Sequence, residues 1–272
     1  MVGQQEALKE NSVSNLLSRT QWVSASEFHA LSDIEVLREV HQRVRQNENA
    51  VVLLDLDATL YEVGSRTHQI LVEWAGSNHG KSFRGVSEAI LQMTPDQLKY
   101  SVPETLDFLA HSQQIPAFES DAIESAQEFW FRRFFTSEYL EYDRSYPGAS
   151  EFAHSLHGLG AQIVYLTGRD EPNMGEGTRR NLIRDGFPWN LHGTFLLMKP
   201  SFHMADLEYK KSAANWIRQQ GTLVASFENE PPNVVALYEL FPDAMHIFVD
   251  TVCSQHRALP GRGLYRICSF SF

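Results

Sequence analysis

Ala50-Val51-Val52-Leu53-Leu54-Asp55-Leu56-Asp57-Ala58-Thr59-Leu60 is apolar on both alternating faces, yet two aspartates one residue apart interrupt its end. A polar Asn47-Glu48-Asn49 precedes it. Apolar side chains on both faces predict a strand buried inside a parallel sheet. Side chains alternate along a strand, so Asp55 and Asp57 point to the same side. Two carboxylates held there repel each other unless a cation lies between them or one keeps its proton. Capping the next turn accounts for one aspartate. Packing accounts for neither, because unpaired carboxylates are rarely buried.

Four later runs have the same apolar character: Gln162 to Thr167, Thr194 to Met198, Leu223 to Phe227 and His246 to Asp250. Helical patterns separate them. Asp33 is placed as an N-cap before Ile34, Leu37, Val40 and Val44, whose spacing predicts a helix to about Gln46. Further helices are expected over Ser150 to Leu159, Thr178 to Asp185, Lys210 to Gln220 and Asn233 to Phe241, the last three closed by Gly186, Gly221 and Pro242. Strand and helix in alternation predict an α/β fold, a Rossmann-like open parallel sheet with helices on both faces. Residues 62–143 break the rhythm. Ser101-Val-Pro-Glu104 reads as a capping box, and Ala122, Ala126, Phe129 and Arg133 mark turns of a helix. The expected organisation is a loosely attached N-terminal helical arm (1–48), an α/β core (49–61 and 144–272) and a mostly helical cap inserted after the first strand (62–143).

Composition narrows the function classes. The chain has 272 residues, with 23 basic against 34 acidic side chains and a net charge of −11. That balance argues against nucleic acid or an anionic membrane as partner. The two cysteines, Cys253 and Cys268, make neither a disulfide framework nor a four-ligand zinc site and are expected as reduced thiols. No run approaches the ~18 apolar residues of a membrane span, and no basic segment leads an apolar one at the start. A cytoplasmic protein is expected.

Other strand ends carry polar groups. Thr167-Gly168-Arg169 offers a hydroxyl and backbone N–H groups suited to a phosphoryl oxygen, although Thr-Gly turns are common. Lys210 and Lys211 open a predicted helix, where a cation opposes the dipole, and Lys199 follows the third strand. Lys210 is preferred because Ala213, Ala214 and Ile217 share its helix face. Phe227-Glu228-Asn229-Glu230 ends the fourth strand with oxygen donors of the kind Mg²⁺ prefers. Gly175-Glu-Gly177-Thr-Arg-Arg180 lacks the third glycine of a dinucleotide fingerprint and reads as a helix entry. His154 and His157 lack a third zinc ligand. The run Phe129 to Phe135 is either core of the cap or an aromatic substrate wall.

In that order, Asp55-x-Asp57-x-Thr59, Thr167-Gly-Arg, Lys210 and Glu228-Asn229 resemble the four motifs of the haloacid dehalogenase-like (HAD) hydrolase superfamily. The resemblance covers about 50–250, and the insertion falls where that superfamily places its type 1 helical cap. It implies a Mg²⁺-dependent phosphatase acting on a small phosphorylated metabolite. Asp55 would be the nucleophile and Asp57 the general acid, then base. Thr167 and Lys210 would hold phosphoryl oxygens, with Gly168, Arg169 and Thr59 beside them. Mg²⁺ would bind Asp55, the carbonyl of Asp57 and Glu228, with Asn229 adding a neutral oxygen. The fourth motif commonly carries aspartates, so Glu228-Asn229 departs from it, and Glu230 is an alternative ligand. The departure leaves open a non-catalytic phosphate-binding or scaffold protein. A phosphotransferase would carry the same residues. A receiver domain fits less well, given the large insertion.

Overall fold

Alternate side chains of Ala50–Leu54 leave the sheet toward two different cores. Val52 and Leu54 join Val36, Val40, Phe152 and Tyr165 on one face. Val51 and Leu53 join Val164, Ile217 and Leu237 on the other. Both faces are covered by helices, the condition under which a parallel strand is apolar throughout. The structure is a computed structural model, and it describes residues 16–255 and 259–271.

In chain order the described elements begin with α1 (Arg19–Ala25), β1 (Glu27–Phe28), α2 (Asp33–Gln46), β2 (Ala50–Leu54) and β3 (Tyr61–Glu62). The insertion contributes α3 (Gly64–Gly76), α4 (Asn78–Lys81), α5 (Arg84–Gln92), α6 (Val102–Ser112) and α7 (Ser120–Phe134). Next come β4 (Arg144–Ser145), α8 (Ala149–Gly158), β5 (Gln162–Asp170), α9 (Glu171–Arg184) and β6 (Thr194–Lys199). The chain continues through α10 (Asp206–Ser212), α11 (Ala214–Gln220), β7 (Thr222–Glu228), α12 (Pro231–Leu240), β8 (Met245–Val249) and β9 (Arg262–Ile267).

The main sheet has seven strands in the order β1-β9-β8-β7-β2-β5-β6, all pairs parallel. From β2 the chain builds β5 and β6 on one side, then crosses to β7, β8 and β9 on the other. Connections therefore diverge between β2 and β7, and a crevice opens there at the carboxyl ends of the strands.

The sheet has two strands more than the sequence pattern predicts. β1 and β9 extend one edge, and they bring the N-terminal segment into the α/β unit. Trp22 of α1 is 1% exposed, and its indole N–H donates to the Leu259 carbonyl at 2.9 Å. Val36, Leu37, Val40 and Val44 of α2 lie in the main core. The separate arm expected over 1–48 is thus docked wherever it is described; residues 1–15 lie outside the described residues.

Two helix expectations are also corrected. α9 starts at Glu171, not Thr178, because Asp170 caps it by accepting from Asn173 N at 3.1 Å and Pro172 fits the first turn. Gly175 and Gly177 therefore lie within a helix, which removes the phosphate-turn reading. A Cβ at Gly177 would sit 2.6 Å from the Ser137 carbonyl oxygen, so glycine there permits close helix–loop contact. The expected helix from Lys210 is two short ones broken at Ala213, with Lys210 in the last turn of α10, where the dipole favours a cation.

Residues 64–134 are helical around a core of their own that includes Leu71, Trp74, Ile90, Leu106 and Ala126. β3 and β4 pair antiparallel where the chain leaves and re-enters the sheet unit. Cys253 and Cys268 are free, and among the described residues no helix is long and apolar enough to cross a membrane.

His246 on β8 is buried between Ser226 Oγ (2.7 Å) and the Phe241 carbonyl (2.8 Å), and burial pushes its pKa down to about 4. The native state resists a proton that the unfolded chain accepts below about 6.5. Stability from this residue is therefore complete above that pH and declines as pH falls toward 4, by about 3 kcal/mol in all. Urea unfolding at pH 7 and pH 5 should show a smaller acid loss in His246→Gln than in the wild type. Equal losses would remove His246 as the cause.

Candidate active site

The site is assembled where β2, β5 and β7 end. Asp55 follows β2 directly, and its N–H donates to the Phe227 carbonyl at 3.1 Å. The chain then turns sharply: the Leu56 carbonyl accepts from Thr59, Leu60 and Tyr61 N–H groups. Ala58, between them, is left-handed with φ 57°. A non-glycine residue in that region carries about 1 kcal/mol or more of strain, and such residues concentrate at functional loops.

Two buried ionic clusters lie side by side. In the first, the Lys210 ammonium donates to Asp55 Oδ1 at 2.7 Å and to Glu228 Oε2 at 2.5 Å. Glu228 Oε1 accepts from the N–H groups of Asn229 (3.1 Å) and Glu230 (3.0 Å). Burial and the charge of Glu228 raise the Asp55 pKa to about 8, against the pull of Lys210. Burial works against the Lys210 ammonium, but Asp55 and Glu228 more than offset it and raise its pKa. With both carboxylates ionised, one ammonium leaves this cluster one positive charge short, which, on top of burial, is why Asp55 holds its proton so firmly.

In the second cluster the charges balance. Asp57 Oδ1 accepts from Arg169 (2.5 Å) and Arg66 (2.9 Å). Both guanidiniums also reach Asp143, Arg66 to Oδ1 at 2.7 Å and Arg169 to Oδ2 at 2.8 Å. Burial disfavours the Asp57 carboxylate, but Arg169 and Arg66 outweigh it and hold its pKa well below the usual range. The Arg66 guanidinium lies over the Phe134 ring at 4.1 Å.

The other predicted site residues divide. Thr167 is buried on the cavity wall, and its hydroxyl accepts from Arg169 N–H at 3.2 Å. Gly168 also lines the cavity; a Cβ there would collide with the Asp206 carboxylate. Arg169 reaches the cavity, but its guanidinium is engaged with Asp57, Asp143 and Thr178. Thr59 is fully buried, donates to Asn229 Oδ1 at 3.3 Å and does not line the cavity. Lys199 is bound to Asp206 at 2.7 Å, and Lys211 is exposed, so of the three lysines Lys210 alone meets Asp55. Glu230 turns to Ser254, accepting from its N–H at 3.3 Å and its hydroxyl at 3.2 Å.

Among the described residues, no three His, Cys, Asp or Glu side chains converge as a ready cation cage. The chemistry of the donors nevertheless fits Mg²⁺. Asp55, Glu228, the Asp57 carbonyl and the Asn229 amide are hard oxygen ligands, and the first cluster lacks one positive charge once Asp55 ionises. Mg²⁺ typically takes one or two carboxylates and keeps several waters.

A cavity of about 860 Å³ opens over these groups. Asp55, Thr167 and Lys210 lie at one end, and Trp130, Phe134 and Phe135 of the insertion form another wall.

Sequence reading misses Arg66 and Asp143. Neither belongs to a periodic pattern or a strand end; their only trace is a position near each end of the insertion. Asp143→Ala would leave two buried guanidiniums short of a counter-charge, a loss of about 3–5 kcal/mol. Its urea midpoint should fall accordingly, and Asp143→Asn should fall less. An unchanged midpoint in the alanine variant would show that the cluster does not hold the insertion to the sheet.

Residues 117–227 match the family model described as HAD superfamily, subfamily IIIB (acid phosphatase). The matched stretch contains Thr167-Gly-Arg and Lys210, and Asp55 and Asp57 precede it. Among curated proteins, none matches the chain. Similar solved structures include a predicted phosphoglycolate phosphatase from Haemophilus somnus 129pt (11% identity, 81% of this chain and 94% of that chain covered, TM-score 0.47). A predicted phosphatase from Clostridium acetobutylicum is similar at 12% identity, with 81% and 94% covered and a TM-score of 0.47. A haloacid dehalogenase-like family hydrolase from Streptococcus pneumoniae is similar at 13% identity, with 81% and 93% covered and a TM-score of 0.45. Over residues 117–227, and in the order of the strand-end motifs on its parallel sheet, the chain is similar to phosphatases of the HAD superfamily.

Proposed function

We propose that the chain hydrolyses phosphomonoesters with Mg²⁺ through a phosphorylated Asp55. The observation that carries this reading is the buried Asp55–Lys210–Glu228 cluster, one positive charge short once Asp55 ionises, at one end of a cavity walled by Thr167. The non-catalytic alternative has less support: a protein that only binds phosphate gains nothing from burying the Asp55 carboxylate at the end of the cavity where the anion would sit.

In the proposed reaction an Asp55 carboxylate oxygen attacks phosphorus, the ester P–O bond breaks and the alcohol departs. Lys210 holds Asp55 in place and, with the Thr167 hydroxyl, faces the phosphoryl oxygens. Asp55, Glu228, the Asp57 carbonyl and Asn229 would hold Mg²⁺, which supplies charge neutralisation between carboxylate and phosphoryl group. Water then attacks phosphorus, the P–O bond to Asp55 breaks and phosphate leaves.

Asp57 is the residue placed to take the proton from that water. Its two arginines keep it a carboxylate in the resting state, ready as a base. For the first step, an ester in its monoanionic form brings a proton that Asp57 can relay to the departing oxygen.

Asp55→Asn should lower Mg²⁺-dependent release of phosphate from p-nitrophenyl phosphate by at least about a thousandfold, and EDTA should abolish release by the wild type. Turnover that survives the substitution would assign the nucleophile elsewhere. A second expectation follows from the Asp55 pKa of about 8. Below that pH Mg²⁺ must displace a proton, so its apparent Kd should rise up to about tenfold per pH unit as pH falls, and level off above. Calorimetric titration in buffers of different ionisation enthalpy measures both the affinity and the released proton.

A further inference from the structure

We infer that the alcohol half of the substrate is a neutral aryl or similarly apolar group, seated against α7 and carrying no second anion. The inference rests on the phosphomonoesterase reading above and concerns what lies beyond the phosphoryl group.

Size comes first. A phosphoryl group fills only a small part of a cavity of about 860 Å³, within the range of pockets that enclose whole organic ligands. The remaining space faces aromatic rings. Trp130 and Phe134 pack at 4.5 Å between centroids, and Phe135 meets Phe202 at 5.1 Å. Phe202 comes from the loop after β6, so the wall is built from both the insertion and the sheet unit. Such ring faces favour another ring in offset or edge contact.

Charge decides against a second anion. Seven carboxylates line the cavity (Asp55, Asp57, Glu62, Asp96, Asp206, Glu228 and Glu230) against four cationic side chains. Three of those cations are ion-paired, and the fourth, Lys99, is exposed. Lys210 is held by Asp55 and Glu228, Arg169 by Asp57 and Asp143, and Lys199 by Asp206. The Lys99 ammonium lies over the Phe108 ring at 3.7 Å. A second phosphate or carboxylate on the substrate would meet a net excess of carboxylates, with exposed Lys99 the one lining cation outside these ion pairs.

The aromatic wall itself offers little to sugar hydroxyls. The indole N–H of Trp130, the polar group of this wall, already donates to Thr67 Oγ1 at 3.1 Å. Burying hydroxyls against rings without partners costs binding.

The test is calorimetric titration of the Mg²⁺-loaded full chain with three non-hydrolysable probes: 2-phenylethylphosphonate, methylphosphonate and phosphonoacetate. The phenyl probe should bind at least about tenfold more tightly than methylphosphonate, a gain consistent with ring burial. Phosphonoacetate should bind no better than methylphosphonate. Trp130→Ala should erase most of the phenyl advantage, and Phe202→Ala, on the sheet side of the wall, should erase part of it. Tightest binding by phosphonoacetate, or no phenyl advantage, overturns the inference, as does failure of all three probes to bind. Phosphate release from 2-phenylethyl phosphate and glucose 6-phosphate separates the two readings. Phenyl binding without release from any ester overturns hydrolysis alone. Release from the sugar ester with no phenyl advantage overturns the substrate class alone.

Discussion

A lysine ammonium buried between two carboxylates is the constraint on which the site depends. Lys210 cannot shed its charge beside Asp55 and Glu228, and neither carboxylate could stay buried without it. The three groups come from the ends of α10, β2 and β7, so the cluster fixes how those elements meet. It also explains why α10 is short. Ending the helix at Ser212 puts Lys210 in its last turn, where the dipole favours the cation, and brings it to the carboxyl ends of β2 and β7.

The neighbouring cluster does different work. Arg66 belongs to the insertion and Asp143 to its return, whereas Asp57 lies in the turn after β2 and Arg169 belongs to β5. Their shared ion pairs bind the helical insertion to the strand ends through Asp57, the proposed acid and base. Changes in how the insertion sits would therefore be felt first at Asp57. The aromatic contacts of Phe135 and Phe131 with Phe202 add a second, apolar tie across the same cavity.

Much of the fold was legible because its signals are local. The double-sided apolar run at Ala50–Leu54 reports burial on both faces, and glycine or proline after helices reports their ends. The paired aspartates were legible for the same reason: burying two carboxylates two residues apart is costly enough to demand a ligand or counter-ion. What eluded the sequence was either short or dependent on distant partners. β1 has two residues, too few for a period, and exists because β9 offers it an edge. The start of α9 was misplaced because its glycines look like loop, whereas the Asp170 cap and Pro172 start the helix before them and Gly177 fits against Ser137.

The chain's own pattern of residues determined the α/β class, the order of the strand-end motifs and the carboxylates that require a cation, since each follows from alternation and charge within a few residues. Only the tertiary structure decided which lysine meets Asp55, that Thr59 is sealed beneath Asn229, and that Arg66 and Asp143 clamp Asp57. Those assignments are contacts between residues from nine to about 170 positions apart. Ion pairs of that kind leave no periodic trace, because only folding brings the charges close enough to matter.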